Sequence, residues 1–239
     1  MTQALDTPKL QPAPNAQVDH LVIAASTLAE GVAWCETTLG VTPGPGGEHA
    51  LFGTHNRLLK LPAEGSPNAY LEIIAVNTGA TPARLAPLKR WFDLDDPALQ
   101  ARLQQQGPQL IHWVVSVPNL NAALSAWRAL GIDRGTALTA ARPTPAGLLQ
   151  WQIAVRDDGQ RLLGGCLPTL IQWGAVHPAQ SLPTSGLTLR RLHLLHPQSS
   201  LLLRAALQAI DLHGVEVGGE RYSLVAELDT PRGRVALTH

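Results

Sequence analysis

One feature constrains this chain more than any other: an element order that repeats behind matched anchors. "VDHLVIAA" at 18–25 is a β-branched apolar run opened by His20, and "LIHWVVSV" at 110–117 repeats the spelling around His112. Behind His20 comes "TLAEGVAWCETTLG", where Leu28, Val32, Cys35 and Leu39 fall at helical spacing. Ser26 or Thr27 can cap that helix and Gly40 stops it. Three short apolar runs follow at 48–53, 56–61 and 69–76, each bounded by Gly, Pro or Asn, and read as strands. Behind His112 the order recurs: a helix "NLNAALSAWRALG" capped by Asn119 or Asn121, then strands at 135–140, 148–155 and 167–174. Self-similarity of this kind marks duplicated supersecondary units.

The fold class that follows is α+β. Tandem βαβββ modules make curved, mostly antiparallel sheets with helices on the outer face and a concave cleft on the inner one. The expected division is a flexible leader over 1–16, a first module over 17–76, and an insert with a helix over 77–108. A second module follows over 109–175, and a third, degenerate βαβββ module over 186–239. The leader is polar and proline-bearing and lacks the apolar core of a signal peptide. In the insert, Asp95 or Asp96 caps a helix with Pro97 in its first turn; the segment reads as a flap or a packing piece. His193 opens the third module, but that module's last strand, "RVALT", carries no acid or amide.

Composition excludes some classes of function. Eighteen basic residues balance eighteen acidic ones, and the arginines are scattered, so no polyanion-binding stripe forms and no nucleic-acid partner is expected. No apolar run approaches the roughly 20 residues of a membrane-spanning helix. Zero net charge favours self-association and leaves a homodimer open. Two cysteines, Cys35 and Cys166, have no metal-type spacing and fit a reducing cytoplasm.

Paired modules with His opening the first strand and Glu inside the fourth resemble the vicinal oxygen chelate superfamily of glyoxalases, extradiol dioxygenases and bleomycin-resistance proteins. More closely, "VDHLVIAASTLAEGVAWCETTLG", "FGTHNRLLKL", "AYLEIIAV" and "LPTLIQWG" are similar to the glyoxalase-like domain family. The resemblance implies metal ligands on the first and fourth strands of each module: His20 and Glu72, then His112 and Gln172. A divalent ion (Zn, Fe, Ni or Mn) suits two imidazoles and a carboxylate. It would act as a Lewis acid on a small carbonyl- or diol-bearing substrate chelated in the cleft, in lyase, isomerase or dioxygenase chemistry.

Strand parity is compatible with this set. His20, Val22 and Ala24 share a face, as do Tyr70, Glu72 and Ile74, and Leu170, Gln172 and Gly174. On that parity Trp113 and Trp173 face the helix layer. Gln172 is a departure: an amide is a weak ligand and a poor base, so a proton-accepting role passes to Glu72. His55, or His49, is the other candidate acid–base, because an unperturbed imidazole titrates near neutrality. Asn56 and Arg57 complete the expected substrate contacts, with Arg57 suited to a carboxylate. The bland reading of the same stretch is a solvated turn at 53–56. The alternative function is a metal-free protein that binds and sequesters a small molecule.

Overall fold

The computed structural model describes residues 15–144 and 147–239. The expected leader therefore falls, up to residue 14, outside the described residues. In the first module β1 (Gln17–Ala24) leads into α1 (Leu28–Trp34), followed by β2 (Glu48–His49), β3 (Thr54–Lys60) and β4 (Tyr70–Val76). Thr27 caps α1 by accepting from the Glu30 amide. A π-helical turn, Cys35–Leu39, extends the helix to Gly40, which closes it at φ +75°. The insert forms α2 (Pro97–Gln106), capped by Asp96. The second module comprises β5 (Gln109–Ser116), α3 (Leu120–Ala129), β6 (Thr136–Thr144), β7 (Gly147–Val155) and β8 (Thr169–Trp173). Asn119 caps α3 through the Ala122 amide.

The two modules form one curled eight-stranded sheet in the order β2-β3-β4-β1-β5-β8-β7-β6. In each module the first strand runs parallel to the last, β1 with β4 and β5 with β8, while β1 and β5 join the halves antiparallel. A third unit contains β9 (Thr188–Leu195), α4 (Ser200–Ala209), β10 (Glu216–Gly218), β11 (Ser223–Thr230) and β12 (Gly233–Thr238). Its element order is again βαβββ, but its sheet order is β10-β9-β11-β12. Its first strand thus pairs in parallel with the strand after the helix, a different topology from the two modules. His193 sits between Glu216 and Glu227 there, at 3.1 and 3.7 Å.

Alternation along the strands builds two cores. On the convex face Leu21, Ile23, Leu71, Ile73, Trp113 and Val115 pack under the helices and against the third unit. Trp127 of α3 ties that packing together by donating to the Ala206 carbonyl of α4 at 2.8 Å. On the concave face Val22, Ala24, Ile74, Val114 and Ile171 meet Trp91, Phe92, Leu94, Leu99 and Leu103 of the insert. The insert is a packing piece: its aromatic end fills much of the cleft that the repeat creates.

Candidate functional site

A skipped residue in β1 assembles the site. Opposite β5, Val18 pairs with Val115 and His20 with Val114, so Asp19 has no partner in the ladder. An extra residue of this kind turns two successive side chains to one face. Asp19 and His20 both end up buried on the concave side. The Asp19 carboxylate lies 2.6 Å from His20 Nδ1 and accepts from Trp173 Nε1–H at 2.7 Å. His177 Nε2 approaches it at 3.2 Å. The Ala179 amide donates to His177 Nδ1, so the proton of that ring is on Nε2 and points at Asp19. Burial alone would raise the Asp19 pKa, but the His177 and His20 bonds outweigh it and hold the carboxyl well below its usual range. An ionised Asp19 keeps the His20 proton on Nδ1 and leaves Nε2 facing the cavity.

Glu72 stands across from that nitrogen, with Oε2 at 3.6 Å from His20 Nε2. Burial raises its pKa; His20, Asn56 and Arg142 offset the rise only in part. The Gly47 amide donates to Asn56 Oδ1 at 2.8 Å, which fixes the side-chain amide. Its NH2 group therefore donates to Glu72 Oε1 at 2.6 Å and lies 3.3 Å from His49 Nε2. His49 accepts there and donates from Nδ1 to the Thr54 hydroxyl at 3.0 Å. Burial, with the positive charge of Arg142 nearby, pushes the His49 pKa down to about 3, so the ring is a neutral hydrogen-bonding element. Tyr70 stacks on His20 with 4.6 Å between ring centroids. Burial, with Asp19 and Glu72 nearby, pushes the Tyr70 phenol far above its ordinary pKa, so it keeps its proton.

The structure brings together His20, His49, Asn56 and Glu72 of the residues expected from the sequence, all lining one cavity. Four others lie elsewhere. His112 is on the concave face but sealed beneath Phe92, 5.2 Å between ring centroids. Its Nδ1 donates to the Gly165 carbonyl at 3.2 Å and its Nε2 accepts from the Thr169 hydroxyl at 3.0 Å. Burial, with Arg134 and Arg161 close by, holds its pKa well below the usual value. Gln172 corrects the expected parity of β8. Its Oε1 accepts from the Leu120 amide on the helix side, while Ile171 and Trp173 line the cavity. Both Leu170 and Ile171 are buried, so apolarity could not reveal which face of β8 turns inward. His55 and Arg57 alternate with Thr54, Asn56 and Leu58 along β3 and so take the opposite face, away from the cavity.

These positions bear directly on the expected metal. His112 and Gln172 are bonded elsewhere. The Asn56 NH2 engages Glu72 Oε1 and the lone pair of His49 Nε2, leaving Glu72 Oε2 and His20 Nε2 as the donors still open to the cavity. Among the described residues no three His, Cys, Asp or Glu side chains are disposed to hold an ion. The donor set does not fit the divalent ion of the resemblance.

Sequence reasoning passed over Asp19, Arg142 and the cavity role of Trp91, Trp151 and Trp173. Asp19 had a local signal, an acid directly before the histidine. Arg142 had none, because it reaches the cavity from β6 at the far edge of the sheet. The cavity encloses about 30 Å³. It adjoins a larger space of about 370 Å³, with Leu58, Arg142, Leu149 and Pro178 lining both.

A family model described as a glyoxalase-like domain matches residues 18–210. No curated protein sequence matches the chain significantly. Among solved structures, a hypothetical protein from Staphylococcus aureus is similar at 14% identity and a TM-score of 0.57. The match covers 93% of this chain and 85% of that one, and shows a shared fold. A Streptomyces coelicolor methylmalonyl-CoA epimerase in complex with 2-nitronate-propionyl-CoA matches at 18% identity and a TM-score of 0.42, over 68% of this chain and 98% of that one. The methylmalonyl-CoA epimerase of Mycobacterium tuberculosis matches at 17% and 0.38, over 70% and 92%.

Proposed function

The chain belongs to the glyoxalase-like domain family, and on that premise we propose that it is an enzyme that moves a proton on a small carbonyl- or hydroxyl-bearing substrate in the first module's cavity. One observation carries the proposal: a buried carboxylate of raised pKa, Glu72, faces an imidazole nitrogen whose ring is oriented by an ionised Asp19. Glu72 takes a proton from the carbon next to a carbonyl, and the C–H electron pair moves onto the carbonyl oxygen as an enolate. The Tyr70 hydroxyl lines the same cavity and is the donor available to that oxygen. Return of the proton from Glu72, or delivery to a neighbouring atom, completes an exchange or an isomerisation. His20 Nε2 offers a second proton-accepting site. Its orientation by a carboxylate follows the logic by which general-base histidines are held. No step here passes through a metal.

Deuterium incorporation tests this. Pyruvate, hydroxyacetone and dihydroxyacetone are incubated in D2O and followed by NMR. The native protein is expected to accelerate loss of the α C–H signal for at least one compound, and Glu72→Gln to abolish that acceleration. Saturable binding without exchange in any of them would overturn the enzymatic reading. It would favour the metal-free sequestering protein, which the walls of Trp91, Trp151 and Trp173 also suit.

A further inference from the structure

We infer that Arg142 is an oxyanion clamp at the cavity mouth and that the ligand of this site is a small carboxylate with an apolar body. The inference rests on the site proposed above and names the class of molecule that the site takes. Arg142 belongs to the second module, yet its guanidinium lines the cavity of His20, Glu72 and Asn56. A second, larger space of about 370 Å³ adjoins the first, and Leu58, Arg142, Leu149 and Pro178 line both. The guanidinium thus stands where the inner cavity opens into an outer vestibule.

Among the described residues Arg142 makes no ion pair, and its buried Nε has no hydrogen-bond partner. Arg84 and Arg90 also leave a buried Nε without a partner, but both of them, like Arg156 and Arg161, engage an aspartate within 3.3 Å. A guanidinium N–H left unsatisfied at a buried position costs of the order of 1–3 kcal/mol, a cost that an incoming acceptor removes. Trp91 lines the same cavity and its buried Nε1–H is likewise without a partner among the described residues.

The sequence makes a socket for this side chain. A Cβ on Gly47 would come within 1.3 Å of Arg142 Nη1 and 2.4 Å of Cζ. Gly47 is not in the left-handed region, so alanine is compatible with its backbone, and the three atoms nearest the added Cβ would all belong to the guanidinium. Gly47 of "GPGGEH" therefore lets an arginine from β6 lie against the loop before β2.

The chemistry selects a carboxylate over a phosphate. One guanidinium matches one carboxylate bidentately. The Glu72 carboxylate lines the same cavity, with the Asp19 carboxylate buried behind His20, and this negative charge disfavours a dianion more than a monoanion. The vestibule wall is apolar, with Pro45, Val176, Leu182 and Pro183, and suits a hydrocarbon tail.

Intrinsic tryptophan fluorescence reads binding, because Trp91, Trp151 and Trp173 line the cavity. The probes are 4-methyl-2-oxopentanoate, its methyl ester and inorganic phosphate. The free acid is expected to bind about tenfold or more tighter than the ester, and phosphate weakest. Arg142→Gln should erase the difference between acid and ester, and Arg142→Lys should retain part of it. Gly47→Ala, which keeps the charge but displaces it, should weaken the acid and leave the ester unchanged. Equal binding of acid and ester by native protein, full acid affinity in Arg142→Gln, or absence of saturable acid binding would each overturn the clamp. Tighter binding of phosphate would overturn the carboxylate assignment. Acid binding that depends on Arg142 but without deuterium exchange would sink the proton-transfer function and leave the clamp standing; exchange without charge discrimination would do the reverse.

Discussion

His20 and His112 open matching strands, and the β1–β5 ladder skips the residue before each one. Asp19 is unpaired before His20, and Ile111 is unpaired before His112. In both cases the skipped residue and the histidine face the concave side. The residue that accompanies the skip decides the outcome. Asp19 brings a carboxylate that orients His20 and leaves its far nitrogen open to the cavity. Ile111 brings an apolar side chain that joins the insert core, and His112 is sealed under Phe92 with both nitrogens bonded. The insert completes the asymmetry. Trp91 stacks on Phe92 and Phe52, with centroids at 4.9 and 4.1 Å, and this aromatic pile occupies the half of the cleft over His112. Matching strands carry two equivalent histidines; one is part of a cavity and the other is sealed in the interior.

The largest effect expected from this comparison is on exchange. Glu72→Gln should lower the deuterium-exchange rate by about a hundredfold or more, without lowering the thermal midpoint at pH 7. The sign follows from the raised Glu72 pKa: the protonated form suits the fold, so stability is highest below 4.5, the ordinary value of a free side chain, and declines as pH rises from there through the folded-state value. A neutral amide removes that loss. A marked drop in midpoint would mean that Glu72 holds the fold together, as His112 does.

His112→Ala should do the opposite. Losing two hydrogen bonds and leaving a cavity at a fully buried position should cost about 2–4 kcal/mol in denaturant unfolding. Exchange per folded molecule should persist. Loss of exchange with the fold intact would return His112 to the site and break the contrast between the modules.

Acid should expose a shared property of the buried rings. His49 titrates at about 3 in the folded state and His112 well below its usual range, against 6.5 for a free ring. As pH falls from about 6.5 the unfolded chain takes up protons that the folded rings refuse. Each ring then removes up to about 1.4 kcal/mol of stability per pH unit. Replacing His112 with Gln should flatten the dependence of unfolding free energy on pH between 4 and 6. Asp19, whose folded pKa is depressed, adds a loss only once pH falls below about 4. An unchanged slope in the His112 variant would show that the ring takes up a proton in the folded protein.

The smallest effects belong to the opposite face of β3. Arg57→Ala and His55→Ala should change stability by no more than about 0.5 kcal/mol and leave deuterium exchange at the native rate. A large loss of exchange in either variant would place that side chain back at the cavity.

Much of the local structure was legible in the sequence. Thr27, Asp96 and Asn119 cap three of the expected helices, Gly40 ends the first, and the parity of β1 and β4 turns His20 and Glu72 inward. These features depend on a few consecutive residues, where side-chain period and capping chemistry act directly. What converges on Glu72 was not legible in the same way. Strict alternation would turn Asp19 away from His20; only the pairing of β1 with β5 creates the skip that turns it inward. The face of β8 was ambiguous because Leu170 and Ile171 are apolar on both sides, and its pairing with β5 chose Ile171 and Trp173 for the cavity. Arg142 lies 70 residues beyond Glu72 in the chain, and sheet curvature together with the Gly47 socket brings it to the cavity mouth. The sequence by itself determined the α+β element order, its helices and the inward faces of β1 and β4. The tertiary structure decided which histidine keeps an open nitrogen and which cation meets the ligand, because register and inter-strand pairing are set by contacts far apart in the chain.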